Sequence, residues 1–222
     1  MPPRMHFDEQ LQQLDDELLK MAGMIEAALA AATQALSTND LALAQRVIDE
    51  DVFVNRQERD IESLCLKLLL QQQPVARDLR LISAALKMIS DLERIGDQAA
   101  DICKIIVNSP VSAGFASEGA DSLTALSKAA IHMVKSAVDA FVERNVDFAR
   151  AVMSEDFEVN QLFKNVRGEL TRQLREEADP SPDIVDRLMI AKYFERIGDH
   201  SKNIAEWVEY SQTGYHKGVF LA

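Results

Sequence analysis

The chain has 222 residues, with 24 Lys or Arg against 36 Asp or Glu, for a formal net charge of −12. This acid excess argues against nucleic acid and anionic membrane surfaces as partners, since both demand a cationic footprint on the protein. Hydrophobic residues make up 47%, while Gly and Pro occupy only 8 and 6 positions; strong helix formers dominate and Val/Ile/Tyr-rich strand patterns are missing, so an all-α chain with a sizeable core is expected.

In chain order, Leu11, Leu14, Leu18, Met21, Ile25, Ala28 and Ala32 form one apolar stripe at helical spacing, which predicts a long first helix. Ser37-Thr38-Asn39-Asp40 ends it with cap and turn residues. A second helix is expected over Leu41 to Gln72. Pro74 suits the first turn of a third, where its missing N–H goes unneeded, and that helix runs to about Asn108. Residues 109–121 (SPVSAGFASEGAD) read as a linker, because Pro, Gly and Ser gather there and periodicity vanishes. A fourth helix is expected from Ser122 to Glu143, a turn at Arg144-Asn145-Val146, and a fifth helix to about Glu177. Ser181 as N-cap, Pro182 and Asp183 open a sixth, which extends to about Ser211. Residues 212–222 form an aperiodic tail. The resulting division is a first three-helix bundle over 7–108, the linker, and a second bundle over 122–211.

No window reaches the roughly 18 uninterrupted apolar residues of a spanning helix, and Met1 to Gln10 lacks a signal-peptide apolar core. A cytoplasmic protein without a membrane span is expected. Cys65 and Cys103 sit inside helical patterns without metal-finger spacing, and read as buried free thiols in a reducing compartment. Met21, Met24, Met88, Met133, Met153 and Met189 read as core filler.

The strongest feature is an internal repeat. Glu93-Arg-Ile-Gly-Asp97 recurs as Glu195-Arg-Ile-Gly-Asp199, 102 positions on, and Glu50-Asp51-x-x-Val54-Asn55 recurs as Glu155-Asp156-x-x-Val159-Asn160, 105 positions on. Two paired motifs in the same order on either side of one linker argue for a duplicated three-helix unit.

The repeat carries chemistry in its spacing. Residues four apart share a helix face, so Glu93, Asp97 and Asp101 line one strip, and Glu195, Asp199 and Asn203 line its counterpart. Asp51 with Asn55, and Asp156 with Asn160, have the same spacing on the preceding helices. Like charges so placed cost a helix roughly 0.2–0.5 kcal/mol per pair, and something must offset that. One answer is neighbouring arginine: Arg94, Arg196, Arg77 and Arg80 are close in sequence. The other is a hard cation held by oxygen ligands from two adjacent helices. Gly96 and Gly198 sit mid-helix at about 0.8–1.0 kcal/mol cost each relative to Ala, which points to a close helix crossing or to a backbone or ligand approaching there. His200 has Gln98 as its counterpart, stands outside the repeated pattern and reads as a partly exposed helical residue. Di-iron Glu-x-x-His, His-Glu-x-x-His, P-loop, Rossmann and Gly-x-Ser-x-Gly signatures are all missing from the sequence. The missing phosphate-cradling Gly-rich loop argues against direct phosphate sensing, and the sequence does not decide whether phosphate binds directly.

Gln73-Pro-Val-Ala-Arg-Asp-Leu-Arg80, Asp91-Leu-Glu-Arg-Ile-Gly-Asp97, and Glu195-Arg-Ile-Gly-Asp199 with Asn203-Ile204 resemble the PhoU family of bacterial phosphate-uptake regulators, over about residues 7–211. The resemblance implies two tandem, pseudo-symmetric three-helix bundles. It implies a negative regulator of the phosphate-starvation response, acting between the phosphate ABC transporter ATPase subunit and a sensor histidine kinase, as a cytoplasmic homodimer and not as an enzyme. It also implies metal on the repeated motifs: iron or zinc by family resemblance, with magnesium or other hard cations open. Carried over, one site uses Asp51, Asn55, Glu93, Asp97 and Asp101, and the other Asp156, Asn160, Glu195, Asp199 and Asn203. Asn203 in place of Asp101 makes the second site the weaker by expectation. The rival readings are a metal-dependent hydrolase or oxidase on the same acids, and an electrostatic docking face on which metal is adventitious.

Overall fold

The computed structural model describes residues 3–72, 74, 76–108, 120–176 and 183–221. Six helices follow in order: α1 Pro3–Thr38, α2 Leu41–Gln72, α3 Ala76–Asn108, α4 Ala120–Val142, α5 Val146–Glu176 and α6 Ile184–Thr213. Helices α1 to α3 pack as one bundle and α4 to α6 as a second, and the bundles meet chiefly along α3 and α6, with α1 against α4 beside them. Each helix buries its apolar stripe, so the core runs through both bundles, with Leu14, Met21, Ile25, Ile61, Ile82 and Ile95 in the first and Leu126, Ile190, Phe194 and Ile197 in the second.

The duplication is visible in the turns. Before α2, Asn39 takes a positive φ of 53° and Asp40 Oδ1 accepts the Leu43 N–H at 2.9 Å. Before α5, Arg144 takes a φ of 51° and Asn145 Oδ1 accepts the Phe148 N–H at 3.0 Å. Both turns also bond the cap N–H back to an alanine carbonyl, Asp40 to Ala35 at 3.1 Å and Asn145 to Ala140 at 3.0 Å. A left-handed residue closing one helix and an Asx side chain opening the next is a compact way to reverse direction, and here it occurs twice.

Helix α1 begins at Pro3, well before the first residue of the apolar stripe. Three expectations need correction. Pro74 lies ahead of α3, which begins at Ala76, and not in its first turn. The C-terminus is not a featureless tail: α6 runs to Thr213, Gly214 ends it at φ 82° with its N–H on Tyr210 O, and Tyr215–His216 pairs antiparallel with Val219–Phe220. Lys217 and Gly218 both have positive φ, 51° and 77°, as the tight two-residue hairpin turn requires. The hairpin folds back on α6, with the His216 ring stacked on Trp207 at 3.8 Å. Residues 109–119 of the expected linker, Ser181 and Pro182 lie outside the described residues. Of the methionines, Met21, Met88 and Met133 are buried, but Met189 is 42% exposed and is not core filler. Cys65 and Cys103 are buried, and burial pushes both thiols up to about 12. No described helix is long and apolar enough to cross a membrane.

A candidate cation site at each of two equivalent helix crossings

Gly96 and Gly198 explain how the acids come together. A Cβ at Gly96 would lie 3.2 Å from Val54 Cγ1 and 3.7 Å from Asp51 Oδ1; one at Gly198 would lie 2.9 Å from Val159 Cγ1. Each glycine lets α3 press on α2, or α6 on α5, at the valine of the other repeated motif. Val54 and Val159 are themselves repeat partners, so the two crossings are the same crossing made twice. The contact places the acids of both helices within one another's fields.

At the first crossing, Asp51 is half-buried and accepts the Asn55 side-chain amide at 3.1 Å. Its carboxyl is pushed above the ordinary value by burial first, then by Asp97, with Asp101 adding to it against Lys104. Glu93 is raised too, by burial, then by Asp97, with Glu58 and Asp51 contributing against Arg94. Glu58 on α2, which the sequence reading missed, is raised by burial and by Glu62 and Asp97. Compensation comes from Arg94, 3.6 Å from Glu93 and 3.3 Å from Asp97, and from Lys104, 2.8 Å from Asp101. The arginine answer therefore accounts for part of the strip and a lysine for Asp101, while Asp51 has an amide and, among the described residues, no ion pair.

At the second crossing, Asp156 and Glu195 are buried, at 8% and 9% exposure. Lys202 reaches across from α6 to Asp156 Oδ2 at 2.9 Å, and Lys192 pairs with Glu195. Asp156 Oδ1 is fully enclosed and has no hydrogen-bond partner. Asp199 is exposed by area, yet its carboxyl is raised by the partial burial of its head group, then by Glu195 and Asp156. The Asn160 amide donates to the Asp156 carbonyl at 2.9 Å. Asn203 is turned elsewhere: its amide donates to Asp91 Oδ1 on α3 at 3.1 Å, the oxygen that His200 Nδ1 also meets at 2.8 Å. Asn203 and His200 thus tie the two bundles together, a role the repeat could not reveal, because their counterparts are Asp101 and Gln98.

The donors are carboxylate and amide oxygens, which suit a hard cation in kind, and the enclosed Asp156 Oδ1 is an acceptor still lacking a partner. The array is another matter. Among the described residues no three His, Cys, Asp or Glu side chains converge as a ready-made metal cage. Arg94, Lys104, Lys192 and Lys202 each draw a carboxylate to themselves instead.

Two tandem three-helix bundles, with an acid-lined glycine crossing in each, define a duplicated helical-bundle protein with paired anionic strips. The PhoU domain matches this chain twice, over residues 18–106 and 123–208, and the chain belongs to the PhoU family. It is 34% identical, over 94% of each chain, to a phosphate-specific transport system accessory protein PhoU homolog of Clostridium acetobutylicum. It is 33% identical to the phosphate-specific transport system accessory protein PhoU of Escherichia coli (strain K12), over 94% of this chain and 86% of that one. The crystal structure of PhoU from Pseudomonas aeruginosa matches with a TM-score of 0.89 at 33% identity, covering 94% of this chain and 100% of that one. That of the phosphate transport system regulatory protein PhoU from Streptococcus pneumoniae gives 0.87 at 26% identity, over 94% and 98%.

Proposed function

We propose that this protein is a non-enzymatic accessory regulator of phosphate uptake that represses the phosphate-starvation response. It would act in the cytoplasm, as a homodimer, between the ATPase subunit of a phosphate ABC transporter and a sensor histidine kinase. Family membership over nearly the whole chain, with relatives whose names place them in phosphate-specific transport, is the observation that carries this reading. Deleting the gene should leave phosphate-responsive genes expressed in phosphate-replete cells; continued repression would reject the role.

In the same reading the two strips bind cations: Asp51, Asn55, Glu93, Asp97 and Asp101 hold one site, and Asp156, Asn160, Glu195 and Asp199 the other. Bound metal would supply the positive charge that the buried carboxylates lack and fix adjacent helices to each other. The buried, unpartnered oxygen of Asp156, and the burial and then mutual repulsion that raise Asp51, Glu93 and Asp199, support this. The second strip should be the weaker, since Asn203 faces Asp91. Calorimetry on chains with one strip neutralised should find tighter binding at the first, and a tighter second strip would reject that order.

A further inference from the structure

We propose that Lys104, Lys192 and Lys202 are internal counter-cations of the two strips, occupying the carboxylates in the cation-free protein and withdrawing into solvent when a divalent ion binds. The inference rests on the cation-binding reading above and says how that binding is regulated.

The acids are repeated between the bundles and the lysines are not. At the positions 102 away from Lys104, Lys202 and Lys192 stand Glu206, Ala100 and Ser90. Each strip has thus been given its own ammonium group from a different place, as expected if what the two strips share is a need for positive charge. The pairs are also lopsided. The side chains of Lys104, Lys192 and Lys202 are 53%, 45% and 38% exposed, while their partners Asp101, Glu195 and Asp156 are 34%, 11% and 12% exposed. At Glu195 and Asp156 the cation can leave and the buried anion cannot; at Asp101 the lysine is again the more exposed partner. Asp101, Asp51 and Asp97 all act on Lys104, and Asp156, Glu206 and Asp199 on Lys202, so each ammonium serves a group of acids and not one partner.

Lysine suits this use. It is a single compact charge on a flexible four-carbon stem, whereas a guanidinium would lock one carboxylate in a planar fork. One ammonium cannot satisfy every oxygen of a strip: Lys202 takes Asp156 Oδ2 and leaves the enclosed Oδ1 without a partner. A divalent ion carries twice the charge and accepts six or more oxygens, so it can displace the lysine where an ordinary surface ion pair would simply persist. The absence of a ready-made cage among the described residues follows, because the carboxylates are drawn toward separate lysines.

The test uses the full-length protein and Mn²⁺ as a hard divalent probe. Lys104→Met and Lys202→Met keep the stem and remove the charge. Each should tighten Mn²⁺ binding at its own strip by about threefold or more, because the ion no longer has to displace a solvent-screened ammonium group, and each should lower the melting temperature of the metal-free protein. Affinity that is unchanged or weaker in folded variants overturns the inference. A second measurement needs no variant: Mn²⁺ should speed chemical acylation of Lys104, Lys192 and Lys202 in the wild-type chain relative to exposed Lys87, read by mass spectrometry. Protection, or no change, counts against it. If neither wild type nor variants bind Mn²⁺, the cation-binding reading itself fails; if all bind equally, only the role of the lysines does.

Discussion

A glycine in mid-helix sacrifices propensity, and at Gly96 and Gly198 the loss is offset by contact with a valine on the next helix. The two positions are not equally tight. A methyl at 3.2 Å from Val54 asks that side chain to shift by a few tenths of an ångström, whereas 2.9 Å from Val159 requires the stiff, β-branched side chain or its helix to move. Alanine restores about 0.8–1.0 kcal/mol of helix propensity at either site, against roughly 1–3 kcal/mol for overpacking. Gly198→Ala should therefore destabilise the protein clearly in denaturant titration, Gly96→Ala should be close to neutral, and Val159→Ala should rescue the former. A Gly198→Ala chain as stable as wild type would show that the crossing is looser than the distances state. The same pairs of residues show what was legible at this level. Acids four apart, repeated, marked the strips; Glu58 and the lysines escaped notice because their repeat counterparts are unlike them, Phe163 in the case of Glu58.

Along each helix the acids form ladders, and the ladders set a pH dependence. Asp51, Glu93 and Asp199 are raised above their ordinary values of 3.8, 4.5 and 3.8. The native chain therefore holds these protons more tightly than the unfolded chain. Their cost to stability is absent below the unfolded values and grows as pH rises through the raised ones. Replacing Asp51 and Asp199 by Asn should stabilise the metal-free protein at pH 7, by a few tenths of a kcal/mol each after solvent screening. That gain should shrink toward zero below about pH 4. A gain independent of pH, or a loss at pH 7, would contradict the assignment. Helices themselves are readable from spacing and caps: the expected α2, Leu41 to Gln72, coincides with the observed one. The start of α1 is not, because its first turns fall before the stripe begins. Nor is the C-terminal hairpin, whose strands of two residues are too short to show alternation.

In the whole molecule, the two bundles meet along α3 and α6, with α1 against α4 beside them. Leu18, Ala22, Met88, Leu92, Phe141 and Ile204 line one apolar part of that junction, and polar pairs flank it. Asp15 meets Arg144 at 2.7 Å at one side, and Asp91 meets His200 and Asn203 between α3 and α6. Sequence spacing gave the bundles but not their junction, since residues 91, 200 and 203 belong to no common pattern. Asp91→Ala leaves two half-buried donors without their acceptor, at about 1–3 kcal/mol. It should lower the unfolding midpoint; an unchanged midpoint would place the polar coupling elsewhere. The net charge of −12 takes on a different meaning within this architecture. Seven of the 36 acids, Asp51, Glu93, Asp97, Asp101, Asp156, Glu195 and Asp199, stand in the two strips, where lysine and arginine neutralise only some of them. Elemental analysis of protein purified without added metal, beside an Asp97→Asn/Asp199→Asn chain, asks directly whether cations supply the rest. The expected result is divalent metal in the wild-type protein and little in the variant; equal metal in both, or none in either after metal is supplied, would contradict the reading of the strips as cation sites.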